Sequence, residues 1–284
     1  MTLSVVAVAN GAPDDPIAIG MAADIARRHT ARAVVVDAFS IQPVVYAAAI
    51  PNGYRQGPLM AEILGEEAVV RRQIAAQTAA EAARCDLSTS PDAAPSLSFA
   101  PLGRGLDALA PELPLADFVV IAQSMVGGMG PWIGRVGEAL FEARTPVYVA
   151  REAASAAGDK AVIAWDGGFH AARAVRAALP LLREASETAI LQDPDEIDTT
   201  PGSRADPARL AGWLSARGVR VAEAPLRANG RKVGQALLDR ARDYGAALIV
   251  AGAYSHARLR EALLGGVTRS LLEARDGPHL FLSH

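Results

Sequence analysis

Along this chain, short runs of apolar residues alternate with longer stretches in which apolar positions recur every three or four residues, and the whole order occurs twice. Leu3 to Ala9 and Ala161 to Trp165 are apolar runs closed by Asn10-Gly11 and by Asp166-Gly167-Gly168. Each predicts a short buried strand ending in a polar turn. Helical spacing follows over Pro16 to His29 and over Ala171 to Arg183, where Val175, Leu179 and Leu182 share one face. Second strands are predicted over Ala33 to Phe39 and Thr188 to Leu191, and a long Ala-rich helix over Leu59 to Arg84, suited to covering a sheet. Strong β-character returns at Asp117 to Ala122 and at Ala247 to Ala251. Each of these strands leads through a Gly-rich loop and a helix to a last strand, ALFEARTPVYVA (139–150) aligning by eye with SLLEARDGPHLFL (270–282).

Continuous apolar strands alternating with helices imply parallel sheets buried on both faces. The fold class expected is therefore α/β, as two tandem doubly wound parallel-sheet domains of Rossmann-like type, residues 1–150 and 160–284. The small, aperiodic segment 151–159 is read as their linker. Right-handed crossovers place the C-terminal strand ends on one rim, where such sheets bind ligands. Asn10, Asp166 and the loops after Ala122 and Ala251 fall on that rim.

A chain of 284 residues admits one large domain or two, and the repeat decides for two. Its 60 alanines suit close helix-on-sheet packing. A net charge of −3 provides no basic face for DNA or RNA, and no apolar run approaches the roughly 18 residues of a membrane span. The lone Cys85 forms no internal disulfide, and no charged n-region precedes the first strand, so a reducing cytoplasm is expected.

The segment from Gly252 to Thr268 carries the most specific chemistry. Glycines allow close backbone approach to a ligand, and Gly265-Gly266-Val267-Thr268 stands where the next helix begins, so its free N–H groups favour an anion such as phosphate. Thr268 adds a hydroxyl. Ordinary turn chemistry also accounts for glycines at these places. Gly103 to Ala108 fits a dinucleotide fingerprint, but follows a third strand and lacks the acidic ribose partner. There is no GxxxxGK[ST] sequence and no G-x-S-x-G elbow. His29, His170, His256, His279 and His284 lack metal-ligand spacing. Asp14-Asp15 and Asp193 to Glu196 read as solvated acidic loops, with a metal site the alternative.

On these residues the chain resembles the universal stress protein family, and the resemblance extends over both halves. Its ATP-binding members carry Gly, two residues, Gly, nine residues, then Gly followed by Ser or Thr, after the fourth strand. The second half has Gly252, two residues, Ser255, nine residues, Gly265 and then Gly266. The spacing is that of the family, whereas Ser255 and Gly266 depart from it, so Ser255 either tolerates the phosphate turn or marks its loss. Asp166 matches the family's Asp beside adenine and ribose, and Gln192 lies near where its backbone recognises adenine. The first half has Gln123 at the first Gly position, Asn10 at the Asp166 position and Arg135 after its last Gly, so it is expected to have lost this mode of binding.

The resemblance implies a tandem universal stress protein that binds ATP or ADP, with Mg2+ as counter-ion, through Asp166, Gln192, Gly252, Ser255, Gly265, Gly266, Val267 and Thr268. It would act in stress response by binding and not by catalysis, with no residue nominated as catalytic and no metal site. It further implies an internal pseudo-dimer paired through Pro146 to Ala150 and His279 to Ser283, with association of two chains left open. Two alternatives remain, a nucleotide-free interaction module of the same fold and a slow adenine-nucleotide hydrolase.

Overall fold

Strand–helix alternation builds two compact units, Met1–Ala122 and Gln123–His284, in the structure, a computed structural model. It describes residues 2–38, 56–102, 112–126, 143–152, 159–194, 197–223, 232–253 and 266–284.

The first unit runs β1 (Ser4–Ala9), α1 (Asp15–His29), β2 (Arg32–Asp37), α2 (Gln56–Arg84), β3 (Ser96–Ala100) and β4 (Phe118–Ala122). Its strands lie in the order β3-β2-β1-β4, all parallel, with Val5 opposite Ala33 on one side and Phe118 on the other. Val5, Ala7, Val35, Phe118 and Val120 are wholly buried, as continuous apolar strands require. Helix α1 covers this sheet with Ala18, Ile19, Ala22, Ala23 and Ala26, whose small side chains let it approach closely. Pro16 opens the helix, where a missing N–H costs nothing, and Arg27, Arg28 and His29 occupy its last turn, where positive charge suits the carbonyl end.

The second unit runs β5 (Val147–Ala150), β6 (Lys160–Ala164), α3 (Phe169–Ala177), α4 (Leu179–Glu184), β7 (Thr188–Leu191), α5 (Pro207–Ser215), β8 (Val221–Glu223), α6 (Val233–Asp243), β9 (Ala246–Gly252), α7 (Gly266–Glu273) and β10 (His279–Ser283). Its order is β5-β10-β9-β6-β7-β8. All neighbours are parallel except β5 and β10, which pair antiparallel with Val149 opposite Leu280.

One reading of the sequence changes here. The helix expected over Ala171 to Arg183 is two helices, because Pro180 cannot donate an N–H and α4 restarts with it in its first turn. In the second unit β5 takes its place beside β10.

Candidate functional site

At the end of β6 the chain turns sharply through Asp166-Gly167-Gly168 into α3. The exposed Asp166 folds back on its own turn, its Oδ1 accepting the Gly168 N–H at 2.7 Å. Asn10 makes the same turn after β1, accepting the Ala12 N–H at 3.0 Å. The two residues aligned by the repeat thus do the same local work. Gly167 holds φ at +68°, and a side-chain carbon there would stand 2.7 Å from the Ala205 Cα.

Gly252 ends β9 against the start of α3, where an added Cβ would lie 2.6 Å from the Ala171 nitrogen. Its missing side chain is therefore used for helix-on-strand packing. Gln192 is buried beyond β7, and its amide donates to the Ala205 carbonyl at 2.6 Å. At the start of α7, Gly266 and Val267 are exposed, and nothing lies within 4 Å of a Cβ placed on Gly266. Thr268 belongs instead to the buried stripe of α7 with Leu271 and Leu272. Ser255, His256 and Gly265 lie outside the described residues, as do Arg135 and the Gly103–Ala108 segment.

Two imidazoles stack beside this rim, His170 of α3 and His284 after β10, with centroids 4.1 Å apart. Arg173 donates to the His284 carbonyl at 2.6 Å. Burial, then His170, Arg173 and Arg144, pushes the His284 imidazole down to about 4, so it is neutral at pH 7. Phe169, between these groups and Asp166 in the chain, is 83% exposed.

The C-terminal end of α7 is held by a residue that reads from sequence as polar linker. Arg151 is wholly buried. Its Nε donates to Gln123 Oε1 at 2.7 Å, Nη1 to the Pro278 carbonyl at 2.7 Å and Nη2 to the Leu271 carbonyl at 2.5 Å. The Arg151 backbone N–H donates to His279 Nδ1 at 3.1 Å, and Gln123 Nε2 donates to the Leu272 carbonyl at 2.7 Å. Burial, with a smaller contribution from Arg242, draws the guanidinium down to about 10, still charged at neutral pH. Every one of these partners is neutral. The carbonyl end of α7 supplies the opposing partial charge.

The rim of the first unit is acidic and buried, which corrects the reading of Asp14-Asp15 as a solvated loop. Asp15 is 1% exposed, and its Oδ2 accepts the N–H groups of Asn10 at 3.0 Å and Gly11 at 2.7 Å. Its Oδ1 is buried without a hydrogen bond. Asp193, in the other acidic run, is buried as well. Asp37, opposite Ala9 at the end of β2, is wholly buried and pairs with Arg71 of α2 at 2.5 Å, while also accepting the Leu102 N–H.

Burial raises the Asp15 carboxyl from 3.8 to about 6, against the lowering effect of the Gly11 and Asn10 amides. A raised carboxyl binds its proton more tightly in the folded state. Its contribution therefore stabilises as pH falls from 6 to 4 and destabilises above 6. Asp15→Asn is expected to be about 2 to 3 kcal/mol more stable than the parent at pH 7, with the difference closing towards pH 4. Urea unfolding of both proteins across that range checks it, and a constant difference would refute the assignment.

Neither a protein-family model nor a curated protein matches the sequence. Solved structures do match. A universal stress protein from Archaeoglobus fulgidus DSM 4304 superposes over 99% of this chain and 95% of its own, with a TM-score of 0.67 and 14% identity. The chain has the universal stress protein fold. A putative universal stress protein from Pseudomonas aeruginosa UCBPP-PA14 covers 99% of this chain and 93% of its own at a TM-score of 0.55 and 14% identity. A functionally unknown protein from Pseudomonas aeruginosa PAO1 is similar over 99% and 92%, at 0.56 and 13%. Of the predicted residues that are described, Asp166, Gln192 and Gly252 stand at or just past strand ends, and Gly266 and Val267 at a helix start. Among the described residues, no helix is long and apolar enough to cross a membrane.

Sequence reasoning placed Asp166, Gly252 and Gly266 at turns, because Gly and Asp carry turn signals. It missed the buried Arg151 with its partner Gln123 and, separately in the first unit, the buried Asp37 with the partly exposed Arg71. The one available signal was Gln123, a large polar residue where the second half has Gly252.

Proposed function

We propose that this chain is a tandem universal stress protein whose second half binds an adenine nucleotide, ATP or ADP with Mg2+, and acts by binding. The observation that carries the reading is the full-length fold likeness, together with the open first turn of α7 at Gly266 and Val267. Free N–H groups there suit phosphate oxygens. The exposed Asp166 carboxylate, just past the end of β6, which pairs with β9, suits ribose hydroxyls as their acceptor. Thr268, on the buried stripe of α7, contributes its backbone N–H to this reading and not its hydroxyl. Gly252 contributes by letting α3 close on β9. The antiparallel pairing of β5 with β10 supports an internal pseudo-dimer of the two halves, and the protein is placed in the cytoplasm.

Mass spectrometry of small molecules released from the denatured protein is expected to find ATP or ADP. An empty protein that gives no heat when titrated with millimolar MgATP would overturn the reading. Gly265→Val is expected to abolish binding with the fold retained, since a branched side chain would keep phosphates from the backbone. Undiminished affinity in that variant would place the phosphates elsewhere. A nucleotide-free interaction module is the second reading, favoured by Ser255 and Gly266 in place of the family's Gly and Ser or Thr. Sustained rapid ATP turnover would instead favour a hydrolase.

A further inference from the structure

Helix α7 is eight residues long, about two turns, and a helix so short has little order of its own in water. Its position depends on what holds its ends. At the N-terminal end Gly266 and Val267 are exposed. At the other end, two of the last-turn carbonyls that a helix leaves without internal partners, those of Leu271 and Leu272, are taken by Arg151 and Gln123. The Pro278 carbonyl and the His279 ring tie the same guanidinium and its backbone to the start of β10. The described partners of this buried cation are neutral, and a charge in a protein interior is costly without compensation; the carbonyl end of the helix supplies the opposing partial charge. The arrangement therefore selects one position of α7, the one in which its carbonyls meet Arg151.

Gln123 follows β4 as a residue of the first half's loop, where the second half has Gly252. A glycine at that place would leave the Arg151 Nε–H and the Leu272 carbonyl without partners. The departure of the first half from the nucleotide motif thus supplies a strut for the second half's helix.

We propose that Gln123 and Arg151 are positioning residues for the nucleotide site of the second half, setting the affinity for phosphate by fixing α7 from its C-terminal end. The proposal rests on the nucleotide reading above. Both residues act through α7 and neither touches the nucleotide. Because the first turn of α7 serves phosphates and not the adenosine part, loosening the helix weakens ATP selectively.

The test compares Gln123→Gly, Arg151→Met and Arg151→Lys with the parent full-length protein. Calorimetric titration with MgATP and competition by adenosine measure affinity, and hydrogen exchange without nucleotide follows residues 266–273. Expected are at least tenfold weaker ATP binding in Gln123→Gly and Arg151→Met, unchanged adenosine affinity, and faster exchange in α7. Arg151→Lys, which keeps the cation, is expected to retain part of the ATP affinity. Parent-like ATP affinity in a folded Gln123→Gly overturns the positioning role while leaving the nucleotide reading intact. Equal loss for ATP and adenosine also overturns it, since that is the mark of general loosening. A parent protein that binds no nucleotide overturns both readings, and the exchange data then report only a structural clamp. Should Arg151→Met fail to fold, Gln123→Gly and Arg151→Lys decide the matter.

Discussion

Asp37→Ala is expected to lower stability by about 1 to 3 kcal/mol, because it removes a wholly buried acceptor that ties the partly exposed Arg71 to the end of β2. Asp37 is wholly buried and meets both Arg71 and the Leu102 N–H, so its loss also frees a backbone donor. Arg71→Met is expected to be costly too, since it leaves a buried carboxylate with the Leu102 amide alone. The double variant Asp37→Leu, Arg71→Met is expected to be more stable than Arg71→Met alone, as it also removes the desolvation penalty of the buried carboxylate. Urea unfolding of the parent, Asp37→Leu, Arg71→Met and the double variant forms a double-mutant cycle. Purely additive losses would mean that the two side chains do not act as a pair.

Gly167→Ala is expected to cost about 3 kcal/mol, from two sources. A non-glycine residue at φ +68° costs about 1 kcal/mol. The added Cβ would also meet the Ala205 Cα, Cβ and nitrogen at 2.7 to 2.8 Å, and relief requires backbone movement, which costs about 1 to 3 kcal/mol. Thermal unfolding provides the measurement. As a control, Gly202→Ala has a similar φ of +83° and nothing within 4 Å, so it should show the conformational cost alone. Equal effects at the two positions would remove the packing argument. The movement would be felt at the candidate site, because Gly167 lies between Asp166 and the Gly168 N–H that Asp166 accepts.

Much of the fold was legible in the sequence, because a parallel strand buried on both faces announces itself as an apolar run and its crossover helix by its spacing. The strands over 4–9, 118–122, 160–164 and 279–283 lie within a residue of the runs that predicted them. Pro180 carried a break that the helical spacing of Val175, Leu179 and Leu182 concealed, since periodicity reports which face is apolar and not whether every N–H has a partner. The site was legible only at its turns. Asp166 and Asn10 form the side-chain turns their residue types favour.

What the sequence by itself determined is the local alternation, its repetition, and hence a duplicated α/β plan. The reason is that strand and helix formation depend on residues close in the chain. Tertiary structure alone decided the rest. It buried Asp15, Asp37 and Arg151, which composition would leave in water, and it grouped residues 123–152 with the second unit. Whether a charge is buried depends on partners far along the chain, such as Leu271 and Pro278 for Arg151. Such partners meet only once the strands have paired.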